Sequence, residues 1–194
     1  MGRSIAFDYD RAIHRATNLF WKHGYTNTSL RNLLKAMRIG EGSFYNTLKG
    51  KKRLYLECLK HYEATVGKRR AAALFSQPNI KLGIRALFKI VLDDLDNPTV
   101  PRLCLMASSV SYDVLKEKEL RQFVEAEMAA FKFHLVKCLK SAVQAGELPK
   151  NFQPEAVVGI IATYMQGLLR TVLISYDRKQ IEQELDVLLR GLGL

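Results

Sequence analysis

Residues 28–54 read TSLRNLLKAMRIGEGSFYNTLKGKKRL, a stretch dense in small, hydroxyl, aromatic and basic residues. Thr28 or Ser29 can cap a helix in which apolar residues recur at intervals of three and four. A turn over residues 38–40 separates it from a second short helix over residues 41–48, for which Gly40 is an acceptable N-cap. The pattern therefore predicts two short helices joined by a sharp turn.

The second of these helices has two different faces. Phe44 and Leu48 are placed to enter a core, and Gly42 costs about 1 kcal/mol relative to alanine inside a helix, which indicates close approach of the backbone to another molecule. The outward residues offer hydroxyl and amide groups that suit phosphates and base edges: Ser43, Tyr45, Asn46 and Thr47. Such a face is also compatible with simple exposure to solvent.

Positive charge is concentrated in the first part of the chain. The formal net charge is +11, and residues 1–77 hold 15 Lys and Arg against 5 Asp and Glu, whereas residues 78–194 hold 15 against 14. Clustered positive charge favours a polyanion, because neutralised phosphates release condensed counterions. Nucleic acid is the first expectation and an anionic membrane the second. Arg3, in a short polar arm, either frays with the terminus or reaches a DNA minor groove.

Composition argues against several other classes of protein. The three cysteines lie far apart without a CxxC pair, which disfavours a disulfide framework or structural zinc and favours a reducing cytoplasm. Residues 1–6 are too short for the apolar part of a signal peptide. The longest uncharged apolar run, residues 156–169, has 14 residues against the ~20 that span a bilayer. We therefore expect a cytoplasmic protein without a membrane partner.

The rest of the chain is predicted to be helical throughout. A first helix begins after Asp8 or Asp10 and ends at Gly24, and a long helix over residues 52–76 connects the basic head to the near-neutral remainder of the chain. The predicted fold is all-α, with a helix-turn-helix head at residues 1–51 and a helical domain at residues 52–194. That domain would bind an effector and dimerise.

Two apolar helices end the chain. The helix from Pro154 to Tyr176 is apolar around much of its circumference, and a helix with two apolar faces must bury both. It forms either a four-helix bundle with a second copy or a core within one chain. The candidate dimer residues are Val158, Met165, Leu169, Leu173, Ile181, Leu185 and Leu188.

Apolar and aromatic side chains in the helical domain could line a cavity between helices, or could be core. The candidate effector residues are Phe88, Leu92, Cys104, Tyr112, Phe131, His134, Tyr164 and Met165. Such a cavity would suit an apolar or aromatic small molecule.

Catalytic and metal-binding signatures are weak in this sequence. There is no HExxH pattern and no nucleophile elbow, so we predict no enzyme, no catalytic residue and no cofactor. Cys58 with His61 and His134 with Cys138 could each place two ligands on one helix face. A small buried cysteine beside a partly exposed histidine is a commoner arrangement, so we predict no metal site.

Several short motifs together resemble those of the TetR family of transcriptional repressors. The residues that carry the resemblance in the head are Leu19-Phe20-Trp21, Gly24-Tyr25, Thr28-Ser29-Leu30, Ile39, Gly42, Ser43-Phe44-Tyr45, Lys51 and Leu54. Later motifs extend it over most of the chain: Leu103-Cys104-Leu105, Ala145-Gly146-Glu147-Leu148, Pro154-Glu155-Ala156 and Gln166-Gly167-Leu168.

The resemblance implies a homodimer that binds a palindromic operator in double-stranded DNA and answers to a small-molecule effector. Carried over by position, Tyr45, Lys51, Thr28 and Thr47 would hold phosphates. Arg31, Ser43 and Asn46 would approach the bases, of which arginine can read guanine and asparagine adenine. Gly42 is also expected among the DNA-binding residues, because its backbone can approach another molecule closely. Related repressors with a cysteine near Cys104 include redox and electrophile sensors, although a buried cysteine is also common packing.

Three positions depart from the family pattern. Its usual turn glycine is Arg38 here, its usual helix-capping serine or threonine is Gly40, and its usual phenylalanine at the helix end is Leu48. These changes bear on the geometry of the turn more than on the phosphate-binding residues. The prediction is thus a ligand-responsive, dimeric DNA-binding repressor. The alternative is a helical metal-sensing, redox-sensing or interaction module whose basic head contacts nucleic acid or membrane.

Overall fold

A computed structural model describes residues 7–102 and 104–194, which contain helices, turns and loops but no strand. The all-α prediction is confirmed for these ranges, and the prediction for Arg3 lies outside them. The helices are α1 (Tyr9–His23), α2 (Leu30–Met37), α3 (Glu41–Leu48), α4 (Lys51–Tyr62), α5 (Lys68–Phe75), α6 (Ile80–Asp96), α7 (Leu105–Ser109), α8 (Tyr112–Leu115), α9 (Lys118–Gln144), α10 (Pro154–Thr171) and α11 (Arg178–Gly191), with a π-helical turn at Glu63–Gly67 between α4 and α5.

The described residues form two compact units. The first contains those of Met1–Lys68 and Leu103–Glu125, and the second contains those of Arg69–Arg102 and Ala126–Leu194. The first unit therefore includes α7 and α8, although these short helices come some forty residues after α4 in the sequence.

Local capping explains where the first helices begin and end. The Asp8 side chain accepts a hydrogen bond from the Arg11 backbone N–H at 3.0 Å, and the Ser29 hydroxyl accepts one from the Asn32 N–H at 3.2 Å. Gly24 ends α1 with a φ of 76°, which glycine adopts without the Cβ clash of other residues. The predicted boundaries of α1 and α2 are thereby confirmed.

Aromatic packing between α1 and α4 forms the core of the first unit. The Phe20 and Tyr55 rings meet edge to face with centroids 4.8 Å apart, and those of Trp21 and Tyr62 do so at 4.9 Å. All four are buried, and each buried aromatic side chain contributes about 1.5–3 kcal/mol relative to an exposed one. This packing fixes α4 against α1.

The predicted helix over residues 52–76 is interrupted at Glu63–Gly67 by the π-helical turn. Gly67 ends this turn, and the Glu63 carboxylate lies over it, 2.1 Å from where a Cβ would be. Such insertions are rare in helices and often occur at functional positions. Periodicity could not reveal this one, because the flanking segments keep a helical spacing.

The second unit contains a buried carboxylate. Asp94 on α6 accepts hydrogen bonds from Arg69 Nη2 at 2.6 and 2.7 Å and from Arg70 Nη2 at 3.2 Å. Two guanidinium groups compensate for the desolvation of this single carboxylate. Near the end of the same helix, Arg178 pairs with Asp93 at 3.0 Å and with Asp96, which ties the start of α11 to α6.

Candidate nucleic-acid interface

Helix α3 is held by its inner face and presents polar groups on its outer face. Phe44 and Leu48 are buried, as predicted, whereas Gly42, Tyr45 and Asn46 are exposed. Ser43 and Thr47 are partly exposed at the edges of the same face. A ligand can therefore reach hydroxyl, amide and backbone groups along one side of α3.

The turns on either side of α3 both use left-handed backbone. Arg38, at the end of α2, has φ 60° and ψ 45°, and Lys49, at the end of α3, has φ 60° and ψ −1°. Two helices can thus be joined through residues 38–40 although no glycine occupies the left-handed position. Gly40 is the N-cap of α3, as predicted, with an extended backbone and no side-chain cap.

Lys51, the first residue of α4, lies against the turn between α1 and α2. Its Nζ is 4.6 Å from the centroid of the Tyr25 ring and donates a long hydrogen bond of 3.5 Å to the Thr26 carbonyl. Partial burial lowers the pKa of this lysine. Lys51 follows the end of α3 by three residues, and its ammonium group is the one for which a phosphate contact was predicted.

Thr28 is buried and its hydroxyl donates to the Gly24 carbonyl at 2.6 Å. This hydroxyl is engaged in the turn before α2, where Ser29 provides the N-cap. Arg31 is exposed on α2. Of these residues, Arg31 is the one whose side chain is open to a ligand.

Residues 104–117 contact both the head and α4 within the first unit. The buried Tyr55 and Ser109 hydroxyls lie 2.8 Å apart, and Tyr62 Oη is 3.5 Å from Cys104 Sγ. Thr26 Oγ1 donates to Asp113 Oδ2 at 2.9 Å. Burial raises the pKa of Tyr55 to about 12, so its hydroxyl stays neutral and can donate.

These contacts were not predicted, because their partners lie far apart in the sequence. Thr26 and Asp113 are 87 residues apart, and Tyr55 and Ser109 are 54 apart. A pattern of apolar residues carries no information on such polar pairs. The available sequence signal was the largely uncharged run at residues 102–112.

The candidate effector residues are divided between the two units. Phe88 and Leu92 are buried in the second unit, where the Phe88 and Tyr164 rings lie 6.0 Å apart edge to face. Tyr112 is 82% exposed in the first unit, so the expectation that it lines an enclosed cavity is not supported. Phe131, Tyr164 and Met165 are partly exposed, and His134 is exposed.

A groove of about 540 Å³ lies in the second unit. Of the eight candidate effector residues, His134 is the one that lines it. Its walls come from the end of α5, the start of α6 and the second half of α9: Leu74, Phe75, Gln77, Asn79, Ile80, His134, Lys137, Cys138, Ser141, Ala142, Ala145 and Glu147.

The candidate dimer residues are divided between the interior and the surface of the chain. Val158, Leu169, Ile181 and Leu185 are buried within the second unit, and they therefore offer little area to a partner. Leu173 is exposed, and Met165 and Leu188 are partly exposed. Other apolar residues on α10, α11 and the loop between them are more open: Ile160 (45%), Ile174 (91%) and Val187 (67%).

Within residues 7–102 and 104–194, no group of three or more His, Cys, Asp or Glu side chains is arranged to hold a metal ion. Cys58 and Cys104 are buried, and burial raises the pKa of Cys58 to about 12. None of the helices in these ranges is both long enough and apolar enough to span a bilayer.

Two family models match the chain. The model for bacterial regulatory proteins of the tetR family matches residues 12–58, and the model for the Tetracyclin repressor-like C-terminal domain matches residues 83–188. The second match alone covers more than half of the chain, and the first covers α2 and α3 with most of α1 and α4.

Proteins that are similar to this chain over most of their length include transcriptional regulators. The chain is 27% identical to YezE, an uncharacterised HTH-type transcriptional regulator of Bacillus subtilis, over 96% of this chain and 97% of that protein. It is 23% identical to the HTH-type transcriptional repressor ComR of Escherichia coli, over 86% and 80% of the two chains. A solved structure of the TetR family regulator CifR, a cysteine mutant complexed with 26-bp double-strand operator DNA, has a TM-score of 0.87 and 26% identity, covering 97% of this chain and 98% of that one.

Proposed function

Because the chain belongs to the TetR family of bacterial transcriptional regulators, we propose that it is a homodimeric, sequence-specific DNA-binding repressor which a small-molecule effector releases from its operator. The observation that carries this proposal is the exposed polar face of α3, anchored by buried Phe44 and Leu48 in the basic part of the chain. A short helix of this kind can enter the major groove and place side chains against base edges.

The DNA-contacting residues fall into two groups. Tyr45, Thr47 and Lys51 bind backbone phosphates, which position the protein without reading sequence. Arg31 and Asn46 read bases, and Gly42 and Ser43 lie at the groove surface, where the missing Gly42 side chain allows close approach. Thr28 acts by fixing the turn before α2 rather than by touching a phosphate, because its hydroxyl is already bonded to Gly24.

The palindromic operator follows from a symmetric dimer, since two heads read two half-sites about 34 Å apart along B-DNA. The proposed dimer surface consists of the outward faces of α10 and α11, centred on Ile160, Ile174 and Val187. Exposed Gly167 would let a partner helix approach closely. This surface replaces the buried residues Val158, Leu169, Ile181 and Leu185 in the sequence-based set.

An effector would bind in the helical domain of residues 52–194, while residues 1–51 contact DNA. The groove of about 540 Å³ lies within the volume range of small-molecule sites, and its mixed walls suit a partly apolar ligand. A regulator of this kind binds DNA and the effector without catalysing a reaction of either one, and it acts in the cytoplasm.

Contacts within the first unit support the proposal that effector binding is transmitted to the head through residues 104–117. Asp113 bonds Thr26 beside Lys51, and Ser109 bonds Tyr55 on the helix that begins at Lys51. An effector that favours a different position of this segment would shift α4 and the α1–α2 turn together. The fold decrease in DNA affinity that such an effector causes cannot exceed the ratio of its affinities for the two states.

The test is a fluorescence-anisotropy titration of a selected operator and a scrambled duplex at several salt concentrations. Lys51→Ala and Tyr45→Phe should weaken binding to both duplexes, and Lys51→Ala should reduce the slope of log K against log salt by about 1. Arg31→Ala and Asn46→Ala should also reduce the difference in binding free energy between the two duplexes, by about 1–3 kcal/mol for each base that the variant no longer reads.

Lys60→Ala is the matched control, because it removes the same charge from the same helix. Lys60 lies nine residues after Lys51, roughly 13 Å along the axis of α4, and pairs with Glu57 at 3.0 Å. It should leave the salt slope unchanged. Unchanged DNA affinity in all four contact variants would remove α3 and Lys51 from the interface.

A further inference from the structure

Two histidines that are 47 residues apart in the sequence meet on the surface of the first unit. His14 Nδ1 on α1 lies 3.3 Å from His61 Nε2 on α4. The ring centroids are 5.5 Å apart and the ring planes are nearly perpendicular, at 80°. His14 is exposed and His61 is partly buried, so solvent ions can reach the pair.

The pair was not predicted, because each helix contributes a single histidine to it. The sequence had paired His61 with Cys58, three residues earlier. That thiol is buried and points to the Ile13 carbonyl at 4.0 Å, and burial raises its pKa to about 12. Cys58 is therefore a packed residue of the α1–α4 interface and not a partner for a metal ion.

The orientation of the two rings is fixed from both sides. Asn18 Nδ2 lies 3.1 Å from His14 Nε2, which leaves His14 Nδ1 directed to His61. Behind the pair, buried Ile13 and Tyr62 hold the adjoining turns of α1 and α4 in the core. In metal sites the remote ring N–H of a histidine ligand donates to an acceptor, so zinc binding at His14 Nδ1 requires the Asn18 amide to turn its Oδ1 towards His14 Nε2.

The surroundings of His61 favour its neutral, metal-binding form. Burial lowers the pKa of His61, the proximity of His14 lowers it further, and Asp10 acts in the opposite direction. In the neutral pair, one N–H hydrogen lies between His14 Nδ1 and His61 Nε2. Asp10, one turn before His14, supplies a nearby negative charge, while the wider surroundings on α1 are basic.

We propose that His14 and His61 form a binding site for a divalent transition-metal ion such as Zn²⁺, bound through His14 Nδ1 and His61 Nε2. Two nitrogen ligands at 2.0–2.1 Å from a tetrahedral zinc lie roughly 3.3 Å apart, which is the separation already present between these atoms. On metal binding, the ring that carried the shared hydrogen keeps a single N–H, now on its remote nitrogen. Both imidazoles therefore bind as neutral ligands with no net loss of a proton, and water completes the coordination.

The expected site cross-links α1 to α4 with two protein ligands. Among the described residues no third His, Cys, Asp or Glu completes it, so a moderate affinity is expected rather than that of a closed structural zinc site. The assignment depends on the His14–His61 geometry alone and is independent of DNA binding.

The experiment is a calorimetric titration of tag-free, full-length protein with zinc chloride at about pH 7.5, where protons compete only weakly for imidazole nitrogens. The wild type should bind one zinc per chain at this site. His14→Gln and His61→Gln should each weaken binding by about tenfold or more, since one of two ligands is lost. Lowering the pH to about 5.5 should also weaken wild-type binding, because protons compete for the same nitrogens.

Two control variants separate this site from other zinc ligands. His23→Gln removes an exposed histidine from α1, and His134→Gln removes the histidine four residues before Cys138 on α9. Both should bind zinc as the wild type does. Zinc should also raise the unfolding temperature of the wild type and of His23→Gln, but not that of His61→Gln.

Full zinc affinity in His14→Gln and His61→Gln, or loss of binding in His134→Gln with His61→Gln unaffected, would overturn the assignment. Absence of wild-type binding would overturn it equally. Circular dichroism of the metal-free variants shows whether each is folded, and the two ligand variants provide independent tests of one site.

Discussion

Replacing Arg38 by glycine should stabilise the protein. Arg38 ends α2 in the left-handed region, with φ 60° and ψ 45°, and its backbone N–H bonds the Lys35 carbonyl at 3.3 Å. The following N–H, of Ile39, bonds the Leu34 carbonyl at 3.2 Å, which completes a left-handed helix cap. A side chain in this conformation costs about 1–2 kcal/mol, and glycine avoids that cost.

Part of this gain is offset in the unfolded state, since glycine gives the unfolded chain more conformational freedom, worth about 0.4–1 kcal/mol. Arg38 is exposed, so its removal costs little packing. The net expectation for Arg38→Gly is a rise of about 0.5–1 kcal/mol in the free energy of unfolding. The bonds that close the cap use backbone atoms and should be retained.

The assay is urea unfolding followed by circular dichroism, at one fixed protein concentration because a dimer's apparent stability depends on concentration. Lys35→Gly is the matched control: it removes an exposed cation from the same helix at a right-handed position, and should destabilise by roughly 0.5–1 kcal/mol. If Arg38→Gly destabilises as much as Lys35→Gly, left-handed strain at residue 38 does not account for the turn.

One further prediction concerns the contact between residues 104–117 and α4, and a second concerns the dimer surface. Tyr55→Phe removes the buried hydroxyl that lies 2.8 Å from the Ser109 hydroxyl. It should lower the free energy of unfolding, measured with urea, by about 1 kcal/mol. A double-mutant cycle with Ser109→Ala that shows no coupling energy would contradict this. Ile160→Glu should convert the dimer to a monomer, as measured by sedimentation velocity. Leu82→Glu, at a similarly exposed apolar residue on α6, should leave the protein dimeric. The opposite pattern would place the dimer surface elsewhere.

The sequence was sufficient for the helices of the head because their signals are local. Asp8, Gly24 and Ser29 mark helix ends through bonds and dihedral angles within a few residues of each. The faces of α3 followed in the same way from the spacing of Phe44 and Leu48. The left-handed turn at Arg38 was the exception, since its residue type disfavours the conformation that tertiary packing imposes.

Features that depend on distant partners could not be predicted. Helix α10 is apolar around most of its circumference, so periodicity could not decide which side faces the chain's own core; Val158 faces inward and Ile160 outward. Asp113 and His61 likewise depend on contacts with distant residues: Asp113 with Thr26 in the turn between α1 and α2, and His61 with His14 on α1. The groove depends on how α5, α6 and α9 pack, which no single helix specifies.

The most direct test of the account is selection of duplexes from a random DNA pool by the wild-type protein and by Asn46→Ala. The wild type should enrich a palindrome with half-sites one helical turn apart, and Asn46→Ala should enrich the same palindrome with relaxed preference at one adenine in each half-site. Enrichment of no common sequence, or of identical sequences by both proteins, would contradict base reading by α3.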